Sequence, residues 1–504
     1  MLNRQDICYS KIRNRLSRDW LVGVSAAQVL QAFEQRWESL VEELSVSEKS
    51  VSEKPVSEKL PRILLAEADP VRFLGGFFAA VAAGCPLFLG NPAWSNPEWN
   101  QVLAQVQPSR VWSSELLIQD ELHHSYDSLQ SLAGTIMIPT GGTSGQVRFV
   151  MHTWETLMAS VAGFCDYFEV GAESNSGLLT VNAYCVLPLY HVSGLMQVLR
   201  CFASGGILAI APFKSLKQGH TLPLPPETSF FSLVPTQLQR LMRSPSMRDW
   251  LAQFHAVLLG GAPAWMELLQ EARSHAMPLA PTYGMTETAS QIATLKPSQF
   301  LAQEPSQGWV GNLLPHAQVT IRDAQGNVLE PHQVGAIAIQ GRSLGLGYFG
   351  SHPNNQDPAI NPWQVYHPDD LGYLDDARQL HIVGRNSDKI ISGGENIFPA
   401  EVESAIRATG LVHDVAVLGL TDSVWGEAVT AVYVPIDPAC DRDEIVAALG
   451  DRLSRYKRPK FWIVVDKLPR NAQGKLNRVM LREVAIDPTT STVLSRSTPA
   501  QESV

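Results

Sequence analysis

Three hydroxyls, three glycines and an arginine crowd one short stretch of this chain: Thr140, Gly141, Gly142, Thr143, Ser144 and Gly145, then Arg148. Glycines let successive backbone N–H groups turn inward and hydroxyls add donors, so such a stretch can cradle a polyphosphate. Arg148 would bring charge and a forked pair of donors. An ordinary glycine-rich hairpin is the competing reading. The G-x-x-x-x-G-K-[ST] loop of the common nucleoside triphosphatases occurs nowhere in the chain. A second group is Tyr283, Gly284, Met285, Thr286, Glu287 and Thr288. Its ring offers a face for a base, and Glu287 offers a hard oxygen for Mg2+ carried on phosphates. Read as structure alone, Thr286 would simply cap a helix. Asp370, Arg385 and Lys475 could each be a solvated charge, and His191 a satisfied core histidine. Ser193, Gln197 and Arg200 share one helical face, with Arg200 interrupting an apolar run. That arginine could meet a carboxylate on a bound acid, or serve a structural ion pair or the surface.

These residues need elements to hold them. Apolar runs at 136–138 and 149–151 flank the glycine-rich stretch, which predicts a strand, a tight loop and a returning strand. Residues 24–44 carry helical periodicity. ILLAEADP, PLFLGNPAW, VWSS, YCVLPLYHVSG, GGILAIAP, FSLVP and AVLLGG read as strands with their turns. Helices are expected at PVRFLGGFFAAVAAG, 154–168, 195–203 and 235–243. This alternation predicts an α/β fold, layered and with largely parallel sheets, in a large N-terminal domain. Beyond about residue 318, VTIRD, GAIAIQG and QLHIVGR predict a small β unit. A last segment mixes helices (AEVESAIRATG, RDEIVAALGDRLSRY) with strands (VAVLGL, VTAVYVP, FWIVVD) and could fold alone as a small α+β domain. The expected division is 1–385, then 386–486, then a disordered tail at 487–504. Residues 45–59, a VSEK-like unit written three times, read as a solvated, disordered insertion. Gly345, Gly347 and Gly350 fit G-x-G-x-x-G, but SHPNNQDP follows and cannot start a helix, so a turn is expected.

TGGTSGQVRF resembles the phosphate-binding loop of the adenylate-forming superfamily of acyl-CoA synthetases, luciferases and adenylation domains, usually T-S-G-T-T-G-x-P-K-G. It departs from that form at Gly141, Ser144, Val147 and Arg148. YGMTETASQ resembles that superfamily's adenine- and Mg2+-binding turn, in the form found among o-succinylbenzoate–CoA ligases. LPLYHVSG and SGGENIFPAEVE are similar to the same branch. The resemblance covers roughly residues 61–482. It implies that Gly260, Gly261, Ala262 and Pro263 cradle adenine, that Asp370 and Arg385 reach the ribose, and that Lys475 is the catalytic lysine. The position of His191 lines the acyl pocket in that superfamily, and Ser193, Arg200 and Gln291 are expected to join it in holding the acid. Gly393 and Gly394 would leave a channel for the pantetheine arm of CoA. Family members usually have Thr-Gly before the ribose aspartate, where Pro368 and Asp369 stand here, and a hinge Asp or Lys where Ser387 stands.

The implied activity is an acid–thiol ligase. A carboxylate and Mg·ATP give acyl-AMP and pyrophosphate, then CoA gives the thioester and AMP, with the small domain swinging near residues 386–388 between steps. The implied acid is 2-succinylbenzoate, on the route to menaquinone or phylloquinone. Alternatives are a ligase for another aryl or fatty acid, a carrier-protein-loading adenylation enzyme and a catalytically silent binder. The carrier reading is weakened because no carrier-like serine segment follows Lys475. Composition sets outer limits. At 504 residues and 45% hydrophobic content the chain is globular, and a net charge of −10 argues against a general nucleic-acid binder. The six cysteines show no C-x-x-C, so neither a zinc site nor a disulfide framework is indicated. They read as buried thiols of a reducing compartment. No apolar run approaches the length of a membrane span, so a cytoplasmic protein without stable membrane insertion is expected. An oligomer is left open.

Overall fold

Strand direction decides where this fold can bind anything. The structure is a computed structural model and describes residues 9–48, 60–114, 132–141, 146–171, 179–306, 308–350, 363–440, 442–470 and 476–486. Among these, the strands gather into three sheets. The largest begins with six parallel strands in spatial order Leu21–Val22, Leu208–Ile210, Asn182–Cys185, Ser229–Leu233, Ala256–Leu259 and Leu279–Met285. Strands buried on both faces read as unbroken apolar runs, and Ala256–Leu259 is buried at every position. At Leu279–Met285 the direction changes. Ser290–Thr294 returns antiparallel, and Trp309–Leu313, Leu380–Arg385, Asp370–Leu374, Gly335–Gly341 and Ala317–Arg322 continue the sheet antiparallel. The expected small β unit is therefore joined edge-on to the parallel sheet, around its own apolar cluster of Val319, Ile321, Ile337, Ile339 and Leu380.

A second sheet runs Arg110–Trp112, Ile63–Leu65, Leu87–Leu89, Thr135–Gly141 and Val147–Thr153. Its first four strands are parallel, and the last pair is an antiparallel hairpin. The helix Pro70–Ala82 covers it. Asp69 accepts from the Arg72 amide at 2.9 Å and Pro70 opens the first turn, so the start is capped twice over. Phe73, Leu74, Phe77 and Phe78 are buried, each contributing about 1.5–3 kcal/mol. Gly75 is required mid-helix because a Cβ there would lie 2.6 Å from that of Ala32, on the neighbouring helix Ala26–Glu48.

The third sheet holds Glu395–Ile397, Ile390–Ser392, Gly426–Pro435, Val412–Asp422 and Phe461–Val464. It has its own core, including Ile390, Val402, Ile406, Val417, Val429 and Trp462.

Two expectations need correction. The helix predicted over 24–44 runs on to Glu48, through the first residues of the repeat, since Ser45 to Glu48 contain no breaker; residues 49–59 lie outside the described residues. RDEIVAALGDRLSRY is not one helix. Arg442–Leu449 ends at Gly450, whose φ of +46° stops the α-helix, and two short 3-10 turns follow. The tail expected at 487–504 lies outside the described residues. Among the described residues no helix is long and apolar enough to cross a membrane. Cys85, Cys165, Cys185 and Cys201 are buried free thiols and Cys440 is half-buried.

Candidate active site

In parallel sheets, ligands gather where strands end at their carboxyl edge, above all where strand order or direction changes. Here Ala256–Leu259 and Leu279–Met285 are parallel neighbours, with Leu259 opposite Pro281. Gly260 to Pro263 therefore leave the sheet beside Tyr283. A side chain at Gly260 would displace the Thr282 hydroxyl, from which a Cβ would lie 2.3 Å. Gly261, Ala262 and Pro263 are exposed. Gly284 forms a bulge against Ser290 and Gln291, and a Cβ there would lie 2.1 Å from the Ser290 carbonyl. Thr286–Thr288 then make a 3-10 turn, closed by Ala289 and Ser290 at positive φ. The capped helix start considered for Thr286 is not what forms. The turn is fixed from behind by His152, whose Nε2 lies 2.7 Å from the Thr286 carbonyl while Nδ1 meets the Thr156 hydroxyl at 3.0 Å. Burial pushes the His152 pKa down to about 4, so the ring is neutral.

Around this turn the structure gathers residues from four distant parts of the chain. The Tyr283 hydroxyl donates to Asp370 Oδ2 at 2.6 Å. Burial and the Asp370 charge raise the Tyr283 pKa well above its ordinary value. Asp370 is opposite Arg385 in its strand pair, and Arg385 Nε lies 3.5 Å from Asp370 Oδ1. Asp370 is buried, whereas the Arg385 side chain is 55% exposed. Glu287 is buried and accepts from the Tyr348 hydroxyl at 2.6 Å through Oε1. Thr140 pairs with Arg148 across the hairpin, and the Arg148 guanidinium carbon sits 4.4 Å from the Tyr348 ring centroid. Gly141 ends its strand, while Gly142, Thr143, Ser144 and Gly145 lie outside the described residues.

Arg200 has a different setting. It lies on the helix Val192–Ser204 and is 3% exposed, so it is not a surface arginine. Its Nη2 is 3.4 Å from the Ser290 hydroxyl, its guanidinium lies 4.0 Å over Phe164, and Nε has no hydrogen-bond partner. Among the described residues it makes no ion pair. Burial lowers its pKa to about 10, which leaves it charged at neutral pH. Gln197, one turn earlier, is buried with Oε1 unpartnered, while its Nε2 donates to the Ser193 carbonyl. His316 is buried with neither ring nitrogen in a side-chain hydrogen bond, and burial with the nearby Arg200 charge lowers its pKa to about 4. It fills the space beside Gly163, where a Cβ would clash with the imidazole at 1.8 Å. Ser193 is exposed, and His191 forms the half-buried N-cap of the helix. Gln291 is buried, donating to the Thr294 hydroxyl at 2.7 Å.

The small domain's residues are not joined to this group. Gly393 and Gly394, at φ +61° and +84°, turn between two strands of the third sheet, and Gly393 donates to the Trp425 carbonyl. Among the described residues no hydrogen bond connects them to Tyr283, Glu287 or Asp370. Lys475 lies outside the described residues, although its flanks are closed by a bridge between Arg470 and Leu476. Asp369, where the family pattern has glycine, accepts from the Ser387 amide at 3.0 Å. Tyr348, Tyr366, His152 and His316 escaped the sequence reading. For Tyr348 the only available signal was its place inside the G-x-G-x-x-G stretch. That stretch is the expected turn and extends the hairpin through Leu346–Met151 and Phe349–Phe149 backbone bonds.

Residues 129–349 match the family model for AMP-binding enzymes, and 401–475 match the AMP-binding enzyme C-terminal domain. A 2-succinylbenzoate–CoA ligase of Oceanobacillus iheyensis is 34% identical over 347 residues, 68% of each chain. The chain belongs to the AMP-binding enzyme family. Among solved structures, this AMP-binding enzyme is similar to o-succinylbenzoate CoA synthetase from Bacillus subtilis bound to the acyl-adenylate intermediate OSB-AMP. That match has 26% identity and a TM-score of 0.74, covering 93% of this chain and 96% of that one. The same synthetase in complex with ATP and magnesium ion matches at 25% identity and a TM-score of 0.71, covering 93% and 98%. The adenylate-forming resemblance, the layered α/β architecture and the smaller C-terminal part thus hold for this chain.

Proposed function

We propose that this AMP-binding enzyme is an ATP-dependent acid–CoA ligase whose acid is 2-succinylbenzoate. The observation that carries the choice of acid is Arg200, a buried cation without a carboxylate partner among the described residues, set beside Ser290 at the end of the Tyr283–Ser290 turn. An unpaired buried charge is costly, so an anion from outside would stabilise Arg200. A dicarboxylic aromatic acid supplies it: one carboxylate meets Arg200, and the other reacts. The relatives' names agree with this acid.

Tyr283 stacks the adenine beside the Gly260–Pro263 backbone, and Asp370 with Arg385 takes the ribose hydroxyls. Thr140 to Gly145 and Arg148 hold the phosphates. For Mg2+ the donor set fits an ion brought in on the triphosphate. Glu287 Oε2 and the Thr286 hydroxyl make no hydrogen bond among the described residues, and no group of three or more His, Cys, Asp or Glu side chains gathers there to cage a metal. The reacting carboxylate oxygen forms a bond to the α-phosphorus as the bond to the β-bridging oxygen breaks, and pyrophosphate leaves. The CoA sulfur then bonds to the acyl carbon, AMP leaves with the bridging oxygen, and the thiol proton passes to solvent. Positioning and charge neutralisation, rather than a protein nucleophile, carry both steps. Lys475 neutralises charge in the first step, and Gly393 and Gly394 line the pantetheine path in the second.

The test is thioester formation across a panel of 2-succinylbenzoate, its monoacid analogues, other aryl acids and fatty acids, for wild type and Arg200→Ala. Wild type is expected to prefer 2-succinylbenzoate, and Arg200→Ala to lose that preference by about tenfold or more, the value of one charge-assisted contact. Unchanged discrimination in the variant, or wild-type preference for a monoacid, contradicts the reading.

A further inference from the structure

We propose that Tyr348 is a positioning residue that makes Glu287 a one-oxygen metal ligand, tuned to Mg·ATP over Ca·ATP, while its ring seats Arg148. The inference rests on the reading of Glu287 as the metal carboxylate. Tyr348 is fixed on two sides. The Gly345 amide donates to the Glu287 carbonyl at 2.9 Å, the Leu346 amide donates to the Met151 carbonyl, the Met151 amide donates to the Gly347 carbonyl, and Val150 bridges Tyr348. From this anchored backbone the phenol donates to Glu287 Oε1 at 2.6 Å, with the Tyr366 hydroxyl 3.3 Å away and the Trp363 ring edge-on. The opposite demand on the same ring comes from Arg148, whose guanidinium carbon is 4.4 Å from its centroid.

The consequence follows from coordination chemistry. A free carboxylate can bind through one oxygen or both. Ca2+ accepts bidentate ligation in a flexible shell, whereas Mg2+ demands a near-ideal octahedron of single oxygens. With Oε1 accepting from the phenol, Oε2 has no hydrogen bond among the described residues and is the oxygen offered to the ion. A phenol is protonated at neutral pH, so the hydroxyl is a donor to Glu287. Tyr348 thereby couples the phosphate-holding arginine to the metal-holding carboxylate.

Calorimetric titration of ATP in Mg2+, in Ca2+ and in EDTA tests this without turnover. Wild type gains affinity from Mg2+ and gains less from Ca2+. Tyr348→Phe keeps the ring under Arg148, so its affinity in EDTA stays at the wild-type value and reports an intact fold. It loses about tenfold of the Mg2+ gain, and its Mg2+ to Ca2+ ratio falls towards one. Tyr348→Leu removes the seat as well and weakens ATP in EDTA. If Tyr348→Phe keeps both the Mg2+ gain and the ratio while Glu287→Gln loses them, the positioning role is overturned. If Glu287→Gln itself keeps the gain, the metal reading of Glu287 falls and the inference with it.

Discussion

An arginine standing where related loops carry lysine delivers its charge differently. A lysine is a point charge on a flexible stem, but a guanidinium has a flat face that an aromatic ring can hold. Arg148 is exposed and lies over Tyr348, so the ring orients its guanidinium. Arg148→Ala is expected to raise the ATP KM or lower kcat by about tenfold, about 1.4 kcal/mol of transition-state binding. Unchanged ATP kinetics would leave the loop a structural hairpin. Tyr283, Glu287, Asp370 and Arg385 were legible because each lies in a short stretch with its own residue pattern. Tyr348 was not, because its partner Glu287 is 61 residues away and nothing local marks the pairing. His316 was equally silent. Its meaning comes from Gly163 and Arg200, which only the fold brings beside it.

Elements were easier to read than contacts. The apolar runs around the glycine-rich loop demanded a hairpin, and the register Thr140 to Arg148 follows from it. Unbroken runs such as AVLL marked strands of a parallel sheet, because such strands are buried on both faces. Where the chain turned antiparallel after Met285, the pattern changed only gradually. The joining of the β unit to the large sheet through Ser290–Thr294 was therefore invisible in the sequence. The site's own turn depends on neutral His152, and this gives the fold a pH limit. His152 and His316 have folded pKa values near 4, below the ordinary 6.5, because burial penalises the charged ring. The unfolded chain binds protons first as pH falls, so the stability these groups contribute is complete above about pH 6.5 and drains away towards pH 4. Each is expected to remove about 3 kcal/mol over that window. Denaturant melts at pH 7.5, 6 and 5 measure it, and a flat profile would contradict the buried neutral assignment.

On the scale of the whole molecule, the chain gathers Tyr283, Glu287 and Asp370 on the large sheet and has a separately cored third sheet beyond residue 386. Lys475 and the Gly393–Gly394 turn belong to that smaller part yet sit far apart in sequence. In the proposed ligation they act in turn, by a swing of the small part about residues 386–388. There the Asp369 carboxylate holds the Ser387 amide and Asp388 pairs with Arg478 at 2.9 Å. Lys475→Ala is expected to abolish acyl-AMP formation while still converting supplied acyl-AMP and CoA to thioester. Gly394→Leu is expected to make adenylate, which shows that it folds, and to fail at the thioester. Equal loss of both half-reactions in both variants would rule out two alternating faces. The central claim, two-step ligation of 2-succinylbenzoate, meets its most direct test in a single turnover run without CoA. Mass spectrometry should find one acyl-adenylate per pyrophosphate released, bound to the enzyme and dependent on 2-succinylbenzoate. After ATP is removed, adding CoA should convert that adenylate to thioester and AMP. Pyrophosphate release indifferent to the acid, or thioester formed only while ATP is still present, would contradict the account.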